Sequence, residues 1–257
     1  MTDVHLSADA IAMEFSGNRV LESVDLAVRV GDIQALIGPN GAGKSTFFRI
    51  LSGEIKPTHG TVRLKGDDIT GISASRLSAA GVARNFQIAK VFNGLTVVEN
   101  MTIALEAADR WHGGRRQDPW WWVARPRPWV RDTAADTLQK LGILELIDSP
   151  VQDLSHGDRK MVELAVTLCQ GPDLLLLDEP MAGMSPTEVG RCADALAALH
   201  EEQGRTILLV EHDMETVFRL ASIINVLAGG VVIASGSPDE VRSSPAVREA
   251  YLGRRVS

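Results

Sequence analysis

The chain is 257 residues long, with a formal net charge of -7, 45% hydrophobic and 23% charged residues. That length can bury a good core as one domain, or one domain with an insertion. The acidic balance argues against a dedicated nucleic-acid binder, the two cysteines, Cys169 and Cys192, against a disulfide framework, and no stretch approaches the roughly 18 apolar residues of a membrane span. Residues 1–12 lack a basic region followed by an apolar segment, so no secretory signal is expected. The expectation is a cytoplasmic protein whose membrane role, if any, comes through a partner.

In chain order, residues 4–30 and 60–69 read as shorter, half-exposed antiparallel strands. Between them, Ile33–Ile37 is an apolar run of strand length. It leads directly into Gly38-Pro39-Asn40-Gly41-Ala42-Gly43-Lys44-Ser45-Thr46, which matches the phosphate-loop pattern G-x-x-x-x-G-K-[ST]. A helical pattern over residues 46–51 follows, completing the strand–loop–helix context that the chemistry requires. The glycines let backbone N–H groups turn inward at phosphate oxygens, and the helix N-terminus adds partial positive charge. Lys44 would reach the β- and γ-phosphates, and the Ser45 hydroxyl would coordinate Mg²⁺.

Residues 85–163 read as mostly helical, with a break. All five tryptophans lie between Trp111 and Trp129, and six arginines between Arg110 and Arg131. Pro119, Pro126 and Pro128 interrupt any helix there. This stretch has the character of an insert into the core fold. Three readings of it stand open: a satellite hydrophobic cluster, a contact with lipid headgroups, or a contact with a partner protein.

Residues 174–177 are four leucines, and Asp178-Glu179-Pro180 follows. A buried strand delivering carboxylates to its C-terminal edge fits the second half of a phosphate-loop ATPase site. Asp178 would hold Mg²⁺ and Glu179 would act as general base on the attacking water. Ser185-Pro186-Thr187-Glu188 reads as a capping box with Pro at the first helical position, and Gly204 as the end of that helix. Thr206–Val210 is a further apolar strand. Residues 223–227 and 231–234 flank Gly229-Gly230, a hairpin turn. The alternation predicts an α/β fold: a phosphate-loop core with a mainly parallel sheet, a small antiparallel β subdomain and an inserted helical subdomain.

Three further features resemble one family, the ABC-type ATPases. Leu154-Ser155-His156-Gly157-Asp158 is similar to that family's signature, Gln87 to its Q-loop glutamine, and His212 to the switch histidine after the next strand. Phe15 resembles the aromatic that stacks on adenine. The resemblance covers nearly the whole chain, with the motifs in order. It implies one ATPase domain over residues 1–257, with residues 1–85 and 165–250 as the nucleotide-binding core and 86–164 as the helical subdomain carrying the insert at 110–131. It also implies ATP and Mg²⁺ as cofactors, with Gln87 on Mg²⁺ and the attacking water and His212 on the γ-phosphate. Ser155, His156, Gly157 and Asp158 would close over ATP held by a second ATPase chain. Transmembrane permease subunits, and indirectly a solute-binding protein, are the further partners, with the chain on the inner face of the cell membrane.

The run Ala83-Arg84-Asn85-Phe86-Gln87, the segment from Leu95 to Asn100, the interrupted insert and Glu179-Pro180-Met181-Ala182-Gly183-Met184 are most similar to importers of branched-chain amino acids and urea. Other ABC roles differ in build: translation-type members usually carry two such domains, repair-type members long coiled coils, and exporters often a fused membrane domain. The sequence departs from the signature at His156 and Asp158, and has Ser185 where the family usually has Asp. Read locally, Ser155 to Asp158 is a capping box: Ser155 caps the next helix, keeps a proton to donate to phosphate, and Asp158 turns back to the cap.

Overall fold

A computed structural model of the chain describes residues 4–85, 91–111 and 128–252. Its strands are β1 (Val4–Phe15), β2 (Asn18–Arg29), β3 (Ile33–Ile37), β4 (His59–Leu64), β5 (Asp67–Asp68), β6 (Val82–Asn85), β7 (Leu174–Asp178), β8 (Thr206–Val210), β9 (Ile223–Ala228) and β10 (Val231–Gly236). Its α-helices are α1 (Lys44–Leu51), α2 (Ala74–Ala79), α3 (Val97–Trp111), α4 (Pro128–Lys140), α5 (His156–Leu168), α6 (Pro186–Gln203), α7 (Met214–Leu220), α8 (Pro238–Ser243) and α9 (Pro245–Leu252).

The strands form two sheets. One is antiparallel, in the order β2-β1-β4-β5. The other has the order β10-β9-β3-β8-β7-β6, parallel except for the antiparallel edge strand β10. Every residue of β3, β7 and β8 is buried. Strand side chains alternate between faces, and here both faces meet a core. Leu175, Leu177, Ile207 and Leu209 pack with α3 to α6 in one cluster. Leu174, Leu176, Leu208 and Val210 pack with α1 and the antiparallel sheet in the other. A run of four leucines suits a strand covered on both sides, where neither face selects polar residues.

The helix ends follow their chemistry. Ser185 caps α6 through a complete capping box with Glu188, and Gly204 closes it in the left-handed conformation. Cys169 and Cys192 are both buried and free, and burial pushes each thiol up to about 12.

Several expectations need correction. The strands read as short, β1 and β2, run for twelve residues each. They pair with one another through repeated register shifts, and the irregular alternation hides their length in the sequence. β6, the parallel edge strand beside β7, ends at Asn85, where the expected core segment 1–85 also ends. The expected boundary between 164 and 165 lies within α5. Gln87 and most of the tryptophan–arginine insert lie outside the described residues. Of that insert, Trp129 is exposed and Arg131 makes two hydrogen bonds to Asp148, at 3.0 and 2.9 Å.

Candidate active site

The site is built at the C-terminal edge of the parallel sheet, where β3, β7 and β8 end side by side. β3 hands over to Gly38, whose φ is +153°. A Cβ there would sit 2.0 Å from the Leu227 carbonyl oxygen of β9. Backbone cannot yield as a side chain tip can, so the loop leaves the sheet in a path open only to glycine. At the other end Gly43 occupies the N-cap of α1 and offers no side chain to its first turn. The first-turn N–H groups are therefore left to an outside acceptor.

Lys44, 6% exposed, donates from Nζ to the carbonyls of Gly38 (2.6 Å) and Pro39 (3.1 Å). Burial lowers its pKa, and the nearby Glu179 and Asp178 carboxylates act against that. The loop residues Asn40, Gly41, Ala42, Gly43, Lys44, Ser45 and Thr46 line a cleft of about 240 Å³ together with Val20, Glu179 and His212. Phosphate loop, carboxylate and imidazole, far apart in sequence, thus meet in one place.

Glu179 follows β7 with φ +49°. For a residue with a side chain this conformation costs roughly 1–3 kcal/mol. Its backbone N–H donates to the Val210 carbonyl at 2.9 Å, which ties the ends of β7 and β8 together. Its Oε1 lies 2.6 Å from His212 Nε2. A carboxylate held against an imidazole, facing a phosphate cradle, can take a proton from water while the imidazole keeps it oriented.

Asp178 stays behind, 3% exposed at the end of β7. Its Oδ1 is a buried oxygen without a hydrogen-bond partner, while Oδ2 lies 3.8 Å from Arg84 Nη2. Burial pushes its pKa up; Arg84 opposes this, and Glu179 and Glu54 add to it. A desolvated carboxylate with an unused oxygen, beside the cradle and a serine hydroxyl at its mouth, fits a hard cation. Arg84 is a residue that motif reading missed. It bonds Ser52 Oγ (2.8 Å) and Glu54 Oε1 (2.5 Å), and it lies over the Phe48 ring. Its position on β6, three residues before Gln87, offers no signal in the sequence.

Phe15 and the four signature residues do not line the cleft. Phe15 ends β1 and is exposed. Ser155, His156, Gly157 and Asp158 sit at the start of α5, with Gly157 buried and Ser155 and His156 exposed. A Cβ on Gly157 would meet Glu188 Oε1 at 1.9 Å, and one on Gly183 would meet His156 Nε2 at 2.9 Å. The signature start therefore nests in the loop between Glu179 and α6. Ser155 Oγ accepts from the Asp158 N–H (3.1 Å) and donates to Asp158 Oδ2 (2.8 Å). This revises the expected capping box: the carboxylate takes the hydroxyl proton rather than the Ser155 backbone N–H, and so occupies the single proton that was expected to remain available for phosphate.

Comparison with known proteins agrees with this geometry. Residues 21–182 match the family model described as ABC transporter. Residues 231–257 match the one described as branched-chain amino acid ATP-binding cassette transporter. The chain is 35% identical over 255 residues to the high-affinity branched-chain amino acid transport ATP-binding protein LivG of Salmonella typhimurium, covering 98% of this chain and 99% of that one. It is 33% identical over 250 residues to BraF of Pseudomonas aeruginosa, described in the same words, covering 96% and 97%. The ADP conformation of MJ1267, an ATP-binding cassette of an ABC transporter, superposes with a TM-score of 0.83 at 28% identity, covering 97% and 99%. The chain belongs to the ABC transporter family as one of its ATP-binding subunits, the part that hydrolyses ATP to drive transport.

Proposed function

We propose that this chain is the motor of an importer for branched-chain amino acids or a closely related small polar solute. Relatives named for branched-chain amino acid transport, similar over nearly their whole length, support the substrate class. The observation that carries the mechanism is the cleft joining the phosphate loop to the Glu179–His212 pair.

In this reading the N–H groups of residues 41–46 and Lys44 Nζ hold the β- and γ-phosphates, Lys44 exchanging the loop carbonyls for phosphate oxygens. Phe15 stacks on adenine. Ser45, Asp178 and Gln87 would hold Mg²⁺, which when bound neutralises charge on the β- and γ-oxygens. Glu179 accepts a proton from water as its oxygen attacks the γ-phosphorus. The bond from that phosphorus to the bridging oxygen breaks, leaving ADP and phosphate. His212 orients Glu179 and donates to a γ-phosphate oxygen. Ser155, His156, Gly157 and Asp158 close over ATP held by a second ATPase chain. The assembly works on the inner face of the membrane, on permease subunits fed by a solute-binding protein.

Glu179→Gln tests the core of this. Loss of a general base costs roughly 10²–10⁴-fold in turnover, with ATP binding retained. Turnover equal to the parent removes Glu179 from that role. Uptake of leucine by vesicles carrying the chain with its permease, abolished by Lys44→Ala, tests the substrate class; uptake of urea alone redirects it.

A further inference from the structure

Glu211 directly follows β8, immediately before His212, and is 5% exposed. Burial pushes the pKa of its carboxyl up, so an acid here comes at a cost that an apolar residue would avoid. The geometry shows what it does. Oε1 accepts the Met181 N–H at 3.0 Å, and Oε2 accepts the His212 N–H at 3.1 Å. One carboxylate therefore joins two loops 30 residues apart in sequence. The first loop carries Glu179 in a left-handed conformation, and such a conformation persists only where its surroundings over-determine it. The second loop presents His212.

We propose that Glu211 is a positioning residue for ATP hydrolysis: its two oxygens brace the loop after Glu179 against the loop of His212, and so hold the 2.6 Å Glu179–His212 contact in register. This rests on the reading of Glu179 as base and His212 as its partner. Glu211 itself touches neither reacting atom. The contrast with Asp178 on the neighbouring strand is informative. Register places Asp178 opposite Val210, so Glu179 and Glu211 both follow directly on paired residues at the end of the sheet. Asp178 keeps a buried oxygen without a partner, whereas both oxygens of Glu211 are filled by backbone N–H groups. The first suits a cation; the second suits a brace.

Glutamine matches the shape of glutamate but has one acceptor oxygen, and its amide would point a donor at one of the two N–H groups. In purified full-length chain at one fixed high concentration, Glu211→Gln should lower kcat about tenfold or more, since displacing catalytic groups by 1 Å can cost on the order of 10²-fold. The ATP Kd should stay within about twofold, because Glu211 does not line the phosphate-loop cleft and its oxygens bond Met181 and His212 instead; a purely structural role would lower melting temperature without this split between kcat and Kd. Glu179→Gln is run alongside. If Glu179→Gln is inactive while Glu211→Gln keeps the parent kcat, the brace is overturned and the base assignment stands. If Glu179→Gln turns over normally, the base assignment falls and takes the brace with it. Should Glu211→Gln not fold, amide hydrogen exchange on the unsubstituted chain decides. Met181 and His212 amides should be protected well beyond exposed loop amides, and exchange at exposed-loop rates would overturn the proposal.

Discussion

The cleft at the sheet edge and the signature start at α5 differ in a way that tells how the protein works. In the cleft, groups from four places in the sequence already converge, with Glu179 and His212 at 2.6 Å beside the phosphate loop. At the signature, Ser155, His156, Gly157 and Asp158 line no part of that cleft. His156 lies against Gly183 and Gly157 against Glu188 of their own chain, and Ser155 gives its proton to Asp158. One region gathers phosphate loop, carboxylate and imidazole around one cleft; the other satisfies its polar groups within its own chain. Such a division fits the proposed pairing with a second ATPase chain, whose nucleotide would have to open the Ser155–Asp158 hydrogen bond.

Asp178→Asn should reduce turnover roughly 10²-fold or more, since the charge that a metal ion stabilises is worth several kcal/mol. The same change should raise thermal stability without nucleotide. Burial raises the Asp178 pKa in the folded chain, so the stability linked to this group is present below the ordinary carboxylate pKa and is lost as pH rises through the raised value. At neutral pH the ionised group is a net cost that asparagine removes, and calorimetry should show a melting temperature higher by about 2–4 °C for each kcal/mol regained. The gain should shrink as pH falls towards 4. A lower melting temperature at pH 7 would mean that Asp178 is already well satisfied.

Glycine-to-alanine changes then separate the two regions by rigidity. Gly38→Ala drives a methyl into the Leu227 carbonyl, and should cost about 1–3 kcal/mol, as overpacking typically does, with loss of ATP binding. Gly157→Ala meets only the tip of the Glu188 side chain. That tip can swing away at the expense of the Ser185 cap, so the cost should stay near the ~1 kcal/mol of a lost cap, and ATP binding by the chain's own loop should be unchanged. Calorimetry and nucleotide titration of the two variants check both. The smallest effect is expected at Asp158. Asp158→Asn weakens the hold on the Ser155 proton, and should lower the chain concentration needed for half-maximal turnover by about two- to fivefold, the scale of a net hydrogen-bond contribution of roughly 0.5–1 kcal/mol.

Much of this site was legible in the sequence because its parts are local. The phosphate loop lies between a strand and a helix that adjoin it, and the capping chemistry of Ser185 and Gly204 spans a few residues. The leucine run reads as a doubly covered strand without further context. What stayed hidden depends on pairing at a distance. β6 is a strand because β7 lies beside it, and its own four residues carry little pattern. Arg84 matters because folding brings Asp178, Glu54 and Ser52 around it. Glu211 reads as an ordinary strand-end acid until Met181, thirty residues away, is seen to donate to it. The hydroxyl-to-carboxylate contact within Ser155–Asp158 is local, yet the same motif permits two geometries and the sequence does not choose between them.

In the proposed mechanism a single chain holds one half of an ATP site and lends its signature to another. The rate of ATP hydrolysis by the purified chain, followed over about a hundredfold dilution at saturating MgATP, tests it directly. Activity rising more steeply than chain concentration is the predicted result, and strict proportionality down to the lowest concentration would contradict it.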